Sequence, residues 1–167
     1  IKTGLTGEVS MLFSNGTVAT IEPRTHIKIS TFLQEQFDAA DRKVSNLKQE
    51  PSSSQLTIEL NTGNLVVQTK KLARTSSFTI NTSVGTAGIR GTEFQMGIKA
   101  GGTTLDVSSS VVEFTPSGGQ PSVVVQGKGL DVSPNGSVTP RPINPVVSLN
   151  ITAKNSGASA IANRVPL

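Results

Sequence analysis

Residues 84–96 read VGTAGIRGTEFQM. Gly85, Gly88 and Gly91 punctuate it, Arg90 stands alone between Ile89 and Gly91, and Glu93-Phe94-Gln95-Met96 resumes a polar–apolar alternation. Glycine lets a backbone approach an anion or another strand closely. The stretch therefore has three readings: a ligand-binding loop, a catalytic turn, or a corner of a sheet. A phosphate loop needs the spacing G-x-x-x-x-G-K-[ST] or G-x-G-x-x-G with a helix behind it. Neither spacing occurs, and a strand pattern follows. Arg90 is either an exposed guanidinium for a partner's carboxylate or a clamp on the carbonyls of neighbouring turns. Its place between two apolar strands favours the clamp.

The flanks repeat the strand pattern. Val9, Met11 and Phe13 alternate in EVSMLF, Asn15-Gly16 suits a type I′ hairpin turn, and TVATI (17–21) returns as a partner strand. HIKIS (26–30) places Ile27 and Ile29 on one face. QLTIEL (55–60) alternates Leu56, Ile58 and Leu60, and NTGN (61–64) is expected to turn the chain before LVVQTKKL and SFTIN. TLDVS, SVVEFT, SVVVQG and LDVS follow, and Asn135-Gly136 closes a further hairpin onto SVT. Many short strands at regular spacing predict an all-β fold, either an antiparallel β-sandwich or a short β-solenoid-like stack.

Two stretches break the pattern. In residues 32–54, Phe32, Leu33, Phe37, Ala40 and Val44 recur at spacings that suit a helical stripe, ended by Pro51. A short helix or an inserted loop is expected there, near 32–50. Beyond Pro140, PRPINP reads as a linker, VVSLNI (146–151) as one added strand, and the remainder as a tail that orders only on docking. The domain expectation is a β domain over 1–139, carrying 32–54 as its insertion, and a Pro/Asn/Ser-rich extension over 140–167.

Composition narrows the chemistry. There are 167 residues, a net charge of +4, no Cys, no Trp, no Tyr and one His. Without Cys, disulfides, thiol catalysis and thiolate metal sites are excluded. The basic residues are scattered and stacking rings are scarce, which argues against nucleic acid. No apolar run reaches the length of a spanning helix. A serine triad would have to use His26, and no G-x-S-x-G elbow presents a nucleophile. Asp38 and Asp41 share one face only if their segment is helical, and a solvated charged face is the simpler reading. No catalytic, metal-binding or cofactor-binding residue is assigned, and no small-molecule cofactor is expected.

SFTINTSVGTAGIRGTEFQM resembles the signature segment of the FecR domain: a hydrophobic strand, a corner, a small-residue turn, then Ile/Val-Arg-Gly-Thr-x-Phe. GEVSMLFSNGTVATIEPRTHIKI, LNTGNLVVQTKKL and VVVQGKGLDVSPNGSV resemble its entry hairpin, the strand before the signature and the closing segment, so the likeness runs over residues 4–139 in order. Ser83 stands where the corner usually has proline, and 32–54 is expanded. On this resemblance Gly88, Ile89, Arg90, Gly91, Thr92 and Phe94 form a structural signature. The resemblance implies an extracytoplasmic all-β module without catalytic activity, periplasmic or on the cell surface. It would act through contacts with another envelope protein, such as an outer-membrane or membrane regulator component. The best-known members read an outer-membrane transporter from the periplasm and control a sigma factor. This chain shows neither the cytoplasmic helices nor the membrane span of such regulators. A structural or adhesive envelope component is the alternative, and the sequence does not set the oligomeric state.

Overall fold

A computed structural model describes residues 1–38 and 43–165. The chain forms β1 (Val9–Leu12), β2 (Val18–Ile21), β3 (His26–Gln34), a 3₁₀ turn (Val44–Asn46), β4 (Ser54–Gln68), β5 (Ser77–Thr82), β6 (Gly85–Ile89) and β7 (Glu93–Lys99). It continues with β8 (Gly102–Ser109), β9 (Val111–Pro116), β10 (Ser122–Val125), β11 (Lys128–Val132), β12 (Val138–Pro142) and helix α1 (Pro145–Ala162). The all-β expectation holds. The strands make one 12-stranded sheet that curls as a half-barrel, nine of them in the order β10-β9-β6-β5-β4-β7-β8-β11-β12, with β2 and β3 also paired to β4 and β1 to β2. All its strand pairs are antiparallel except β4–β5, which is parallel.

Strand β4 joins the two halves. Its first part pairs with β3 and β5, and its second part, from Gly63 onward, pairs with β2 and β7. The NTGN turn expected at 61–64 is therefore a bend inside one strand. Gly63 carries it at φ +80°, and a Cβ there would stand 2.5 Å from Thr25 Cα. Thr25 completes the bend, donating its hydroxyl to Asn64 O (3.1 Å) and accepting Asn64 N–H (2.9 Å). The bend shifts the alternation by one residue, so that Leu56, Ile58 and Leu60 before it and Leu65 and Val67 after it all enter the core. Facing them are Ile21, Ile27, Phe78, Ile80, Ile89, Phe94, Met96, Leu105 and Phe114, each at most 2% exposed. Burying a side chain of this size contributes about 1.5–3 kcal/mol, so the inner row supplies the main stabilisation.

Both Asn-Gly turns form, in a different geometry from type I′. Gly16 N–H donates to Phe13 O and Phe13 N–H to Thr17 O, while Gly136 and Ser133 repeat both bonds with Ser133 O and Ser137 O. Among the central residues only the glycines have positive φ, at +85° and +84°. Each is thus a type I turn closed by a left-handed glycine. The asparagine side chains are used inward instead, Asn15 Oδ1 accepting Thr17 N–H and Asn135 Oδ1 accepting Ser137 N–H, both at 3.0 Å.

The stretch expected to be helical over 32–50 starts as strand. Phe32 lies in β3 and meets Phe13 edge-on at 5.0 Å, and only Val44–Asn46 makes a helical turn among the described residues. Ala40 and Asp41 lie outside the described residues. The segment is tied into the fold, because Val44 is 2% exposed and Glu50 is buried.

The added strand at 146–151 is a helix. Asn144 caps it, its side chain accepting Val146 N–H, and Pro145 occupies the first turn, where its missing N–H costs nothing. These start signals prevail over the β-branched Val146-Val147. Helix α1 docks on the outer side of β4, β7 and β8, burying Ile151, Asn155, Ala158 and Ala162. Asn150 donates to Glu22 Oε1 (2.7 Å) and Gln95 Oε1 (2.8 Å).

Candidate functional site: the corner at residues 84–96

β6 pairs with β5 and β9 in one half of the sheet, and β7 pairs with β4 and β8 in the other. Residues 90–92 carry the chain across. Gly91 sits at φ +125°, and a Cβ there would come within 2.8 Å of Lys71 Cα. Only glycine fits both the backbone angle and the contact. The crossing is laced by Leu72 N–H to Arg90 O (3.3 Å) and Thr69 N–H to Thr92 O (3.1 Å). Thr92 is buried and donates its hydroxyl to Ser109 O. Ile89 and Phe94 enter the core on either side, at 1% and 0% exposure.

The structure brings all six signature residues to this corner, with different surroundings. Arg90 is exposed, and its Nη1 donates to Ser76 O (2.9 Å) and Arg74 O (3.5 Å). Gly88 is the exception among the glycines. It lies in extended β6, and a Cβ would meet only Glu113 O at 3.8 Å. It floors a shallow hollow of about 300 Å³ lined by Thr79, Arg90 and Glu113. Glycine weakens a strand and often marks close approach by another group.

Beneath the corner lies a group that no sequence motif marks. Glu50 is 4% exposed. One oxygen accepts Ala73 N–H (2.5 Å) and the Ser76 hydroxyl; the other accepts the Ser54 hydroxyl (2.6 Å). Asn15 Nδ2 donates to Ser54 Oγ (3.1 Å), and Glu50 N–H to Lys71 O (3.0 Å). The carboxylate thereby joins the first hairpin, the segment after the 3₁₀ turn and the 70–76 connection, through the same Ser76 whose carbonyl holds Arg90. Both oxygens are occupied by protein donors, which suits a structural node.

A second node lies at the other end of the sheet. Arg141 on β12 reaches across β11 to Asp106 on β8, with Nη1 at 2.6 Å and Nη2 at 2.8 Å, and gives Nε to Asp131 (2.9 Å). Gly129 on β11 is paired with both and makes the crossing possible, since a Cβ there would overlap Nη1. Asp106 also accepts Asn144 N–H (3.0 Å), which fixes the start of α1. The carboxylate hydrogen bonds hold the guanidinium pKa above its ordinary value. No local pattern announces this pairing, because 35 residues separate the partners.

His26 lines a hollow with Lys2, Arg24 and Thr62, in which no carboxylate stands among the described residues. Asp38 is exposed, and with Asp41 outside the described residues the pair is not placed. Among the described residues no cluster of His, Asp and Glu could hold a metal ion, and no helix is long and apolar enough to cross a membrane.

Curled sheet, glycine corner and docked helix define an all-β scaffold whose polar nodes are internally satisfied. The family model described as FecR protein matches residues 1–113, and the chain belongs to the FecR family. No curated protein matches it. Two crystal structures of a “putative anti-sigma factor” from Parabacteroides distasonis ATCC 8503 are similar, each with a TM-score of 0.67 at 14% identity. The likeness covers 94% of this chain and 64% of theirs, so the chain spans less than two thirds of their length. At that identity the shared property is the fold. It covers more of the chain than the family match, which ends at residue 113, before β10–β12 and α1.

Proposed function

We propose that this chain is an extracytoplasmic sensing module of a cell-surface signalling regulator, periplasmic or surface-exposed, which acts through contacts with other envelope proteins and without catalysis. The observation that carries the reading is the FecR match over residues 1–113, which includes the whole signature corner. The fold shared with the Parabacteroides structures is consistent with it. The chemistry supports the non-catalytic part. Glu50, the buried carboxylate nearest the corner, has its oxygens taken by backbone and serine donors, and His26 sits among cations with no carboxylate in its hollow to orient it. In this reading residues 1–139 are the family module, with the six signature residues at its corner, and 140–167 is an extension whose helix α1 braces the outer face.

Deleting the gene in its native cell and profiling transcripts tests the proposal. A compact set of transcripts that changes, and returns on complementation, is the expected result. Altered envelope integrity or adhesion without such a set would instead make the protein a structural component.

A further inference from the structure

The curled sheet ends in two strands of opposite character. Ile143 N–H donates to Gly127 O (3.0 Å) in register with the β11–β12 pairs. Backbone groups alternate sides along a strand. Odd-numbered residues of β12 therefore face β11, and Pro140 and Pro142 turn their nitrogens outward. That edge has no donors at two successive outward positions, a standard defence against strand addition.

β10 has no such defence. Gln126 N–H donates to Ser110 O (2.9 Å) in register with the β9–β10 pairs, so Val123 and Val125 turn their N–H and C=O groups to the free edge. Their side chains are also exposed, at 63% and 48%. Ser122–Val125 contains neither proline nor charge. Beside it runs a groove of about 410 Å³ between β10 and β11–β12, with Leu130, Pro140 and Pro142 among its walls. The charged residues in its lining are Lys128 and Arg141. Arg141 is committed to Asp106 and Asp131, whereas Lys128 has no carboxylate partner among the described residues. The carboxylate next to the edge is Glu113, opposite Val123 on β9.

The remaining edges differ in character. The first part of β3 is covered by residues 1–3, through the Lys2–His26 bridge and the Ile27 N–H to Ile1 O bond (3.0 Å). Its later part carries an irregularity between Ile29 and Thr31. By the same alternation, set by Phe13 N–H to Thr17 O, β1 turns Ser10 and Leu12 outward, a mixed polar and apolar pair.

We propose that the free edge of β10 takes up an extended segment of a partner protein as an added strand. The segment is apolar at alternate positions and carries an acidic residue toward Lys128. Main-chain hydrogen bonds to Val123 and Val125 supply affinity, and the groove and Lys128 supply selectivity. A second copy of this chain fits less well: two four-residue strands bury far less than the roughly 1,200–2,000 Å² of a stable interface. Two copies also bring like-charged Lys128 residues together. The inference rests on the contact-based function proposed above and names the contact.

Selection of short peptides from a random displayed library against the whole chain tests it. Selected sequences are expected to alternate apolar residues and to contain Asp or Glu. They should bind Val123→Pro and Val123→Lys at least roughly tenfold more weakly, with unchanged melting temperatures, because Val123 gives neither its N–H nor its side chain to the fold. Lys128→Glu should weaken the same peptides. Peptides that bind these variants like the parent, or a selection that yields no edge binder, overturn the proposal. So does a dimer that Val123→Pro dissolves, which would make a second copy the occupant. Failure here together with an intact transcript response to deletion would leave the regulatory function standing without this contact. Edge binding without any transcript response would leave the contact standing and remove the regulatory function.

Discussion

Arg90 and Gly91 are neighbours with different duties. Arg90→Ala removes one good hydrogen bond from an exposed side chain, a loss of about 1 kcal/mol, and should lower the melting temperature by roughly 2–4 °C. Gly91→Ala forces a side chain into a left-handed backbone angle against Lys71 Cα and should cost about 2 kcal/mol or more. Gly88→Ala has room and an extended backbone, so a change within about 0.5 kcal/mol is expected. Thermal unfolding of the three variants checks the order. Glu50→Ala should be worse than Arg90→Ala, at roughly 3 kcal/mol, because Ala73 N–H and two serine hydroxyls lose their acceptor in the interior; urea titration measures it. The corner is legible in the sequence because its glycines and alternation are local. Glu50 is not, since nothing near residue 50 announces that Ser54, Ala73 and Ser76 converge on it.

Among the elements, strands are legible and bends are not. Alternation in the sequence locates β5 and β9, whose burial alternates along the strand, whereas β2 is buried throughout. NTGN carries the composition of a turn, yet the same glycine that would reverse a chain also lets a strand bend and resume its alternation one residue out of phase. The 32–54 segment reads as an insertion because its apolar spacing mimics a helix, whereas the structure pins it through Phe32, Val44 and Glu50. Replacing residues 36–52 with a short flexible linker should therefore abolish the cooperative unfolding transition; a folded product would show that the pins are incidental. The Asp106–Gly129–Arg141 crossing makes a separate prediction. Arg141→Met strands a buried carboxylate and should cost about 3 kcal/mol. Gly129→Ala displaces the same guanidinium, so the double variant should be little worse than either single one, as urea unfolding of all three would show. Asp106 raises the Arg141 pKa, so the pair's contribution is complete below the ordinary arginine range. It is lost only as pH rises past that range, and alkaline conditions short of it should not open the crossing.

At the scale of the molecule, one long bent strand, one glycine corner and one docked helix make a half-barrel whose ends do not meet. The parallel β4–β5 pair and the order of strands across the sheet escape sequence reading, because alternation fixes which face a residue takes and says nothing about which strand lies beside it. The open end matters for function. Of the two strands that end the main path, one is closed by Pro140 and Pro142, and the other leaves Val123 and Val125 free, which is where the proposed partner strand adds. The most direct test compares transcript profiles in the native cell for the parent, the deletion and Val123→Lys, with protein level and melting temperature held equal. Val123→Lys should alter the same transcripts as the deletion. A profile identical to the parent's, beside a deletion that does alter transcripts, would contradict the claim that this edge carries the regulatory contact.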